Sequence, residues 1–141
     1  MGPSYWFAKG QQVLDGAFIC KILVENIEDT PNWQHNAGII RHDKYTASYY
    51  VDSCGMLSSG IFQVPFQGQN SSISYPQPWK TGDEIIIKRD FENGLWFGLN
   101  NEIDMLKSCN QKGSFRIVLG FLNVNGRQNE VFKMVELKLL S

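Results

Sequence analysis

Apolar and polar residues alternate with a period near two through most of this chain, the spacing that a half-buried strand requires and a helix does not. Phe18, Cys20, Ile22 and Val24 fall on one face and Lys21 and Glu25 on the other, which predicts a first strand over Ala17 to Glu25. Phe115, Ile117, Leu119 and Phe121 repeat the pattern, as do Val135, Leu137 and Leu139 against Glu136 and Lys138. Between these late strands lies Asn125-Gly126, a pair that adopts positive φ angles cheaply, so a C-terminal antiparallel hairpin is expected. An earlier hairpin is predicted where Asp83 to Asp90 is followed by Phe91-Glu92-Asn93-Gly94 and then by Leu95 to Leu99. On its second strand Leu95, Phe97 and Leu99 share the core face, which leaves Trp96 and Gly98 on the opposite one.

Residues Pro65 to Pro78 hold three prolines among Gln, Gly, Asn and Ser, a composition that favours a loop or a short edge strand over a central one. Glu102 to Lys107 fits a single helical turn or a short strand equally well. Many short strands, each with one apolar face, call for a second sheet to cover them. The expected fold class is therefore all-β, a two-layer antiparallel β-sandwich, with a closed barrel as the structural alternative. Residues 1–16 are expected to be an N-terminal extension or short edge strand, and residues 17–141 a single sandwich domain.

Length and composition narrow the function classes. A chain of 141 residues carries one hydrophobic core, and 43% hydrophobic against 19% charged residues lets burial offset the ordering entropy. The formal net charge of -1, with both signs interspersed, offers no broad positive field, so nucleic acid is not an expected partner. No apolar run approaches the roughly twenty residues of a membrane-spanning helix, and no membrane partner is expected. The opening Met-Gly-Pro-Ser-Tyr-Trp has neither the basic nor the apolar region of a secretory signal. Cys20, Cys54 and Cys109 are odd in number and widely spaced, which suits free thiols and sets the expectation of a cytoplasmic or nuclear protein. Asn70-Ser71-Ser72 matches a glycosylation acceptor formally and reads as a polar loop.

The run Trp79-Lys80-Thr81-Gly82-Asp83-Glu84-Ile85-Ile86-Ile87-Lys88-Arg89-Asp90, followed by Gly94-Leu95-Trp96-Phe97-Gly98-Leu99-Asn100-Asn101, resembles the central signature of SPRY domains. In that signature a Gly-Asp opens a hydrophobic strand that ends in Asp, and a Gly then leads into an alternating strand with a core Phe and a closing Asn. Gly38-Ile39-Ile40 is similar to an upstream strand of the family, and Ser48 to Asp52 occupies the place of its aromatic-rich strand. The resemblance spans about Ala17 to Leu140. It departs from the family in retaining one aromatic in Ala17-Phe18-Ile19-Cys20, in lacking the closing Asn-Phe-Gly, and in lacking the PRY segment of the longer B30.2 form. What it implies is a bent, jelly-roll-like sandwich of the SPRY and concanavalin-like kind, with protein-recognition loops at one end. A role as the substrate-recruiting part of a ubiquitin ligase or as a scaffold module is implied in the same way.

No catalytic constellation stands out. His35 and His42 are the only imidazoles, without metal-ligand spacing, and neither Cys20 nor Cys54 lies in a nucleophile motif. Asp83 and Asp90 sit at the two ends of one strand, where their expected work is to terminate it and bind turn amides. No glycine loop of phosphate-cradling form is present. A non-enzyme without metal or cofactor is expected, binding a protein or peptide ligand. The candidate contact residues are Trp33 and His35 in a polar stretch, Tyr49 and Tyr50, of which one must face outward, and Phe66 and Tyr75 in the proline-rich segment. Trp79 is expected to pack instead. The loops carrying the six are expected to converge at one end of the sandwich. The competing class is a carbohydrate-binding lectin on a similar jelly roll, which would need Trp96 exposed among polar residues on a concave face.

Overall fold

The computed structural model describes residues 4–26, 35–42, 53–57, 61–63, 72–74, 79–100, 106–110, 112–123 and 131–140. For 4–9, 35–36, 53–57, 61–63, 72–74, 106–110 and 121–123 the description is of the backbone. The described residues form eleven strands: β1 (Ser4–Lys9), β2 (Phe18–Asn26), β3 (His35–Arg41), β4 (Ser53–Leu57), β5 (Ile61–Gln63), β6 (Ser72–Ser74), β7 (Glu84–Arg89), β8 (Gly94–Leu99), β9 (Leu106–Asn110), β10 (Phe115–Asn123) and β11 (Val131–Leu139). They make two antiparallel sheets, one ordered β1-β10-β3-β4-β5-β6 and the other β11-β2-β7-β8-β9. The all-β sandwich expected from the alternation is the fold observed.

The core lies between the sheets and is built from the predicted faces. Phe18, Cys20, Ile22 and Val24 of β2 are fully buried, as are Ile85 and Ile87 of β7 and Leu95 and Phe97 of β8. Ala37 and Ile39 of β3, with Phe115 and Ile117 of β10, supply the facing layer. On the far side of the six-stranded sheet Ile40 and Val118 make a separate small cluster. β1 takes the outer edge of that sheet beside β10, so the first residues include an edge strand. β6, inside the proline-rich stretch, holds the opposite edge.

Two expectations for the C-terminal third are corrected. β10 and β11 do not pair: both edges of β10 are occupied, by β1 and β3, and β11 crosses to the other sheet beside β2. A short Asn-Gly signal cannot outweigh these longer-range pairings. Nor does β11 keep a single alternation. A register shift between Met134 and Glu136 adds a residue, so Phe132 and Leu137, not Val135 and Leu139, pack on the core. Val135 and Leu139 are each 51% exposed.

The β7–β8 hairpin forms where predicted, with Ile87 opposite Phe97 and Arg89 opposite Leu95. Its turn is longer than the Asn-Gly pair alone. Asn93 N–H donates to Asp90 O at 3.1 Å and Asp90 N–H to Gly94 O at 2.9 Å, so Phe91, Glu92 and Asn93 form the loop. Asn93, at φ 64°, takes the left-handed position.

Candidate functional site

At one end of the sandwich the Gly-Asp and Asn of the central signature tie three strands together. Gly82, at φ 96°, donates its N–H to Val24 O at 2.8 Å, and Val24 N–H returns a bond to Asp83 O at 2.8 Å. A Cβ at Gly82 would meet nothing within 4 Å, so backbone conformation and not space demands the glycine here. Asp83 accepts from Lys80 N–H at 2.8 Å and from Asn100 Nδ2 at 3.0 Å. Asn100, at φ 58°, uses its Oδ1 to accept from Glu84 N–H at 2.9 Å. Just before this corner Trp79 is buried and meets Phe132 edge-on, with centroids 6.0 Å apart. It packs, as its place before Gly82 suggested.

At the other end Asp90 organises the hairpin tip. Its Oδ1 accepts from Glu92 N–H at 2.9 Å and Gly94 N–H at 2.8 Å, and its Oδ2 accepts from Trp96 Nε1 at 2.7 Å. The carboxylates at the two ends of β7 are thus strand terminators. Phe91, on the loop that Asp90 braces, is 70% exposed. Beside it Arg89 is 1% exposed, its Nη1 donating to Gly113 O at 2.8 Å and its guanidinium 5.1 Å from the Phe115 ring centre. Arg41 lies over the same ring at 5.5 Å. Burial lowers the Arg89 pKa from its ordinary value while the Asp15 charge opposes the shift. Ser114 Oγ bonds to Asp15 Oδ1, and His42 N–H donates to Ser114 O at 3.1 Å. Phe115 and Leu14 exchange two backbone bonds. The two sheets are therefore fastened together next to the hairpin loop that carries Phe91.

Of the six expected contact residues, Trp33, Tyr49, Tyr50, Phe66 and Tyr75 lie outside the described residues, and His35 opens β3 in register with Phe121. The strand order bears on whether their loops converge. The connection that holds Trp33 enters β3 at His35, whereas the connection that holds Tyr49 and Tyr50 leaves β3 beyond Arg41, at the opposite end. β5 runs from Ile61 beside Leu57 toward Gln63 beside Gly55, so the segment with Phe66 leaves toward the Arg41 end as well. β6 runs back, so its last residue, Ser74, lies at the His35 end. A single meeting point for all six does not follow from this topology.

Phe91 was missed by sequence reasoning, although its place between Asp90 and Asn93-Gly94 carried a signal: a side chain inside a tight hairpin loop has nowhere to be buried. Arg89 also had one, since Ile85, Ile87 and Arg89 continue one alternation and so share the core face. Trp96 is half-buried with its indole N–H committed to Asp90. Cys20 is fully buried, and desolvation pushes its thiol pKa up to about 12.

No protein-family model matches the sequence, and no curated protein does. Solved structures do match. The SPRY domain of human HERC1 superposes with a TM-score of 0.69 at 14% identity, over 92% of this chain and 81% of that one. A second human SPRY domain gives 0.65 at 10% identity, over 92% and 83%. The lectin UEA-II, in complex with galactose, gives 0.54 at 8% identity, over 96% and 80%. The chain has the SPRY fold, within the wider concanavalin-like sandwich architecture.

Proposed function

We propose that the chain is a non-catalytic module that binds a protein or peptide through the Arg41–Phe91 end of its sandwich. The observation that carries this reading is Phe91, an aromatic side chain held out in solvent on a loop whose backbone is fixed by two N–H groups that donate to the Asp90 carboxylate. A rigid, exposed aromatic on a braced loop loses little freedom on binding, which is the property of an interface anchor. β3 and β5, the strands that lead into the segments holding Tyr49, Tyr50 and Phe66, both run toward this end, which is the reason for counting those three residues with the contact surface. β3 begins and β6 ends at the opposite end, so this reading leaves Trp33, His35 and Tyr75 out of the contact surface. The SPRY fold supports a binding role by analogy, since fold alone does not fix function. Recruitment for a ubiquitin ligase or scaffold, in the cytoplasm or nucleus, is the setting in which such a module would work.

The lectin reading is favoured by the fold shared with a galactose-bound lectin. Against it stands Trp96, whose N–H is already used by Asp90 and which is partly covered.

Selection from a random peptide display library supplies a ligand, and three single variants then separate the alternatives. Phe91→Ala should weaken peptide binding by about 2 kcal/mol, roughly thirtyfold, with little change in melting temperature. Trp33→Ala should bind as the parent does. Loss of binding in Trp33→Ala with Phe91→Ala unaffected would move the site to the opposite end. Trp96→Ala together with a glycan array tests the lectin reading, and saturable sugar binding abolished in that variant would favour it.

A further inference from the structure

Among the described residues five large apolar side chains are exposed, and four of them, Val131, Met134, Val135 and Leu139, lie on β11. That concentration is on one strand of nine residues, and the strand is an edge: β11 pairs only with β2 among the described residues. A long edge strand with exposed apolar side chains is a template for pairing with a further strand, which soluble proteins ordinarily blunt with charge, proline or a β-bulge. β11 has no proline; it carries the charges of Lys133, Glu136 and Lys138 and the bulge after Met134, so any partner strand has to match both.

The order of those charges indicates which strand would fit. The register shift makes Met134 and Val135 together count as one step of the ladder, so positions equally far on either side of them face the same way. Phe132 and Leu137 both pack on the core. Lys133 and Glu136, the next positions inward, are both half-buried or exposed, and Glu136 reaches Lys21 at 3.7 Å on the outer face of the sheet. An antiparallel copy of β11, related by a two-fold axis between Met134 and Val135, sets Lys133 opposite Glu136 twice, Phe132 opposite Leu137 twice, and Met134 opposite Val135 twice. These three pairings join like face to like face, apolar to apolar or cation to anion, and the next one out sets Val131 opposite Lys138. A segment of arbitrary sequence would not meet both conditions.

We propose that β11 is a self-association edge, through which two copies of this chain pair antiparallel about Met134 and Val135 to join their five-stranded sheets into one. The interface is isologous and closes at a dimer. Apolar contact drives it, and the two Lys133–Glu136 pairs fix its register, since exposed ion pairs contribute little attraction but like charges placed opposite one another are disfavoured.

Sedimentation equilibrium of the whole chain, over roughly 1 μM to 1 mM, tests this against four variants. The parent should sediment at twice the chain mass. Val135→Lys, at a solvent-facing position, should give a monomer with an unchanged melting curve. Lys133→Glu and Glu136→Lys should each weaken the dimer by about tenfold or more, and the double reversal should restore it. A parent that is monomeric throughout overturns the proposal. So does a dimer indifferent to Val135→Lys, while singles that weaken without rescue in the double variant overturn the register. The melting curves guard against misfolding. None of these outcomes bears on Phe91, so the binding role stands or falls separately.

Discussion

Phe97 shows the simplest link between residue and fold. It is fully buried between the sheets, and Phe97→Ala should lower unfolding free energy by about 3–5 kcal/mol in urea titration, through lost burial and the cavity left behind. A loss below about 1 kcal/mol would contradict the core assignment. Cys20 makes a prediction of the opposite kind, about pH. Its folded-state pKa is raised from 9.0 to about 12, so only the unfolded chain releases the proton between those values. Stability from this group is fully present below pH 9 and falls as pH rises toward 12, by about 1.4 kcal/mol per pH unit. Replacing Cys20 with Ala should remove that part of the slope, and an unchanged slope in urea titrations at graded pH would contradict the burial of the thiol. Both side chains were legible in the sequence because an alternating strand announces its inner face. Arg89 obeys the same alternation, yet its charge hid its place in the core, and Gly113 O and Phe115, distant in sequence, are what make burial tolerable there.

The β7–β8 hairpin is the element whose chemistry was clearest in advance, and its turn supplies a local test. Asn93 sits at φ 64°, a conformation open to Gly and costly to a β-branched residue. Asn93→Gly should leave the thermal midpoint nearly unchanged, whereas Asn93→Val should cost roughly 1–2 kcal/mol. Equal effects from the two would contradict the left-handed loop. β11 shows where element-level reading stopped. Its apolar residues at 135, 137 and 139 look like one clean face, but a single extra residue after Met134 moves the core contacts to Phe132 and Leu137. Nothing in composition marks a bulge of this kind. The missing β10–β11 hairpin has a similar cause, because β10 had two better partners in β1 and β3, far away in sequence.

At the scale of the whole molecule, two sheets around one core followed from alternation, and the central signature from Trp79 to Asn101 pointed to the SPRY fold that the solved structures bear out. The site was less legible. Loop aromatics can be recognised one by one in a sequence, but which of them share an end depends on strand direction, and β3 alone separates the loop of Trp33 from the loop of Tyr49 and Tyr50. That the hairpin tip with Phe91 lies at the Arg41 end of β3 follows only from the Arg89 contact to Phe115, which no local pattern announces. The same geometry sets the most direct test of the binding role. In a two-dimensional NMR titration of the isotopically labelled chain with a display-selected peptide, the amide shifts of residues 88–94, 41–42 and 112–115 should move and saturate together. The Gly82, Asp83 and Asn100 corner at the far end should stay still. Shifts centred on that corner, or on the sheet face around Trp96, would contradict the account.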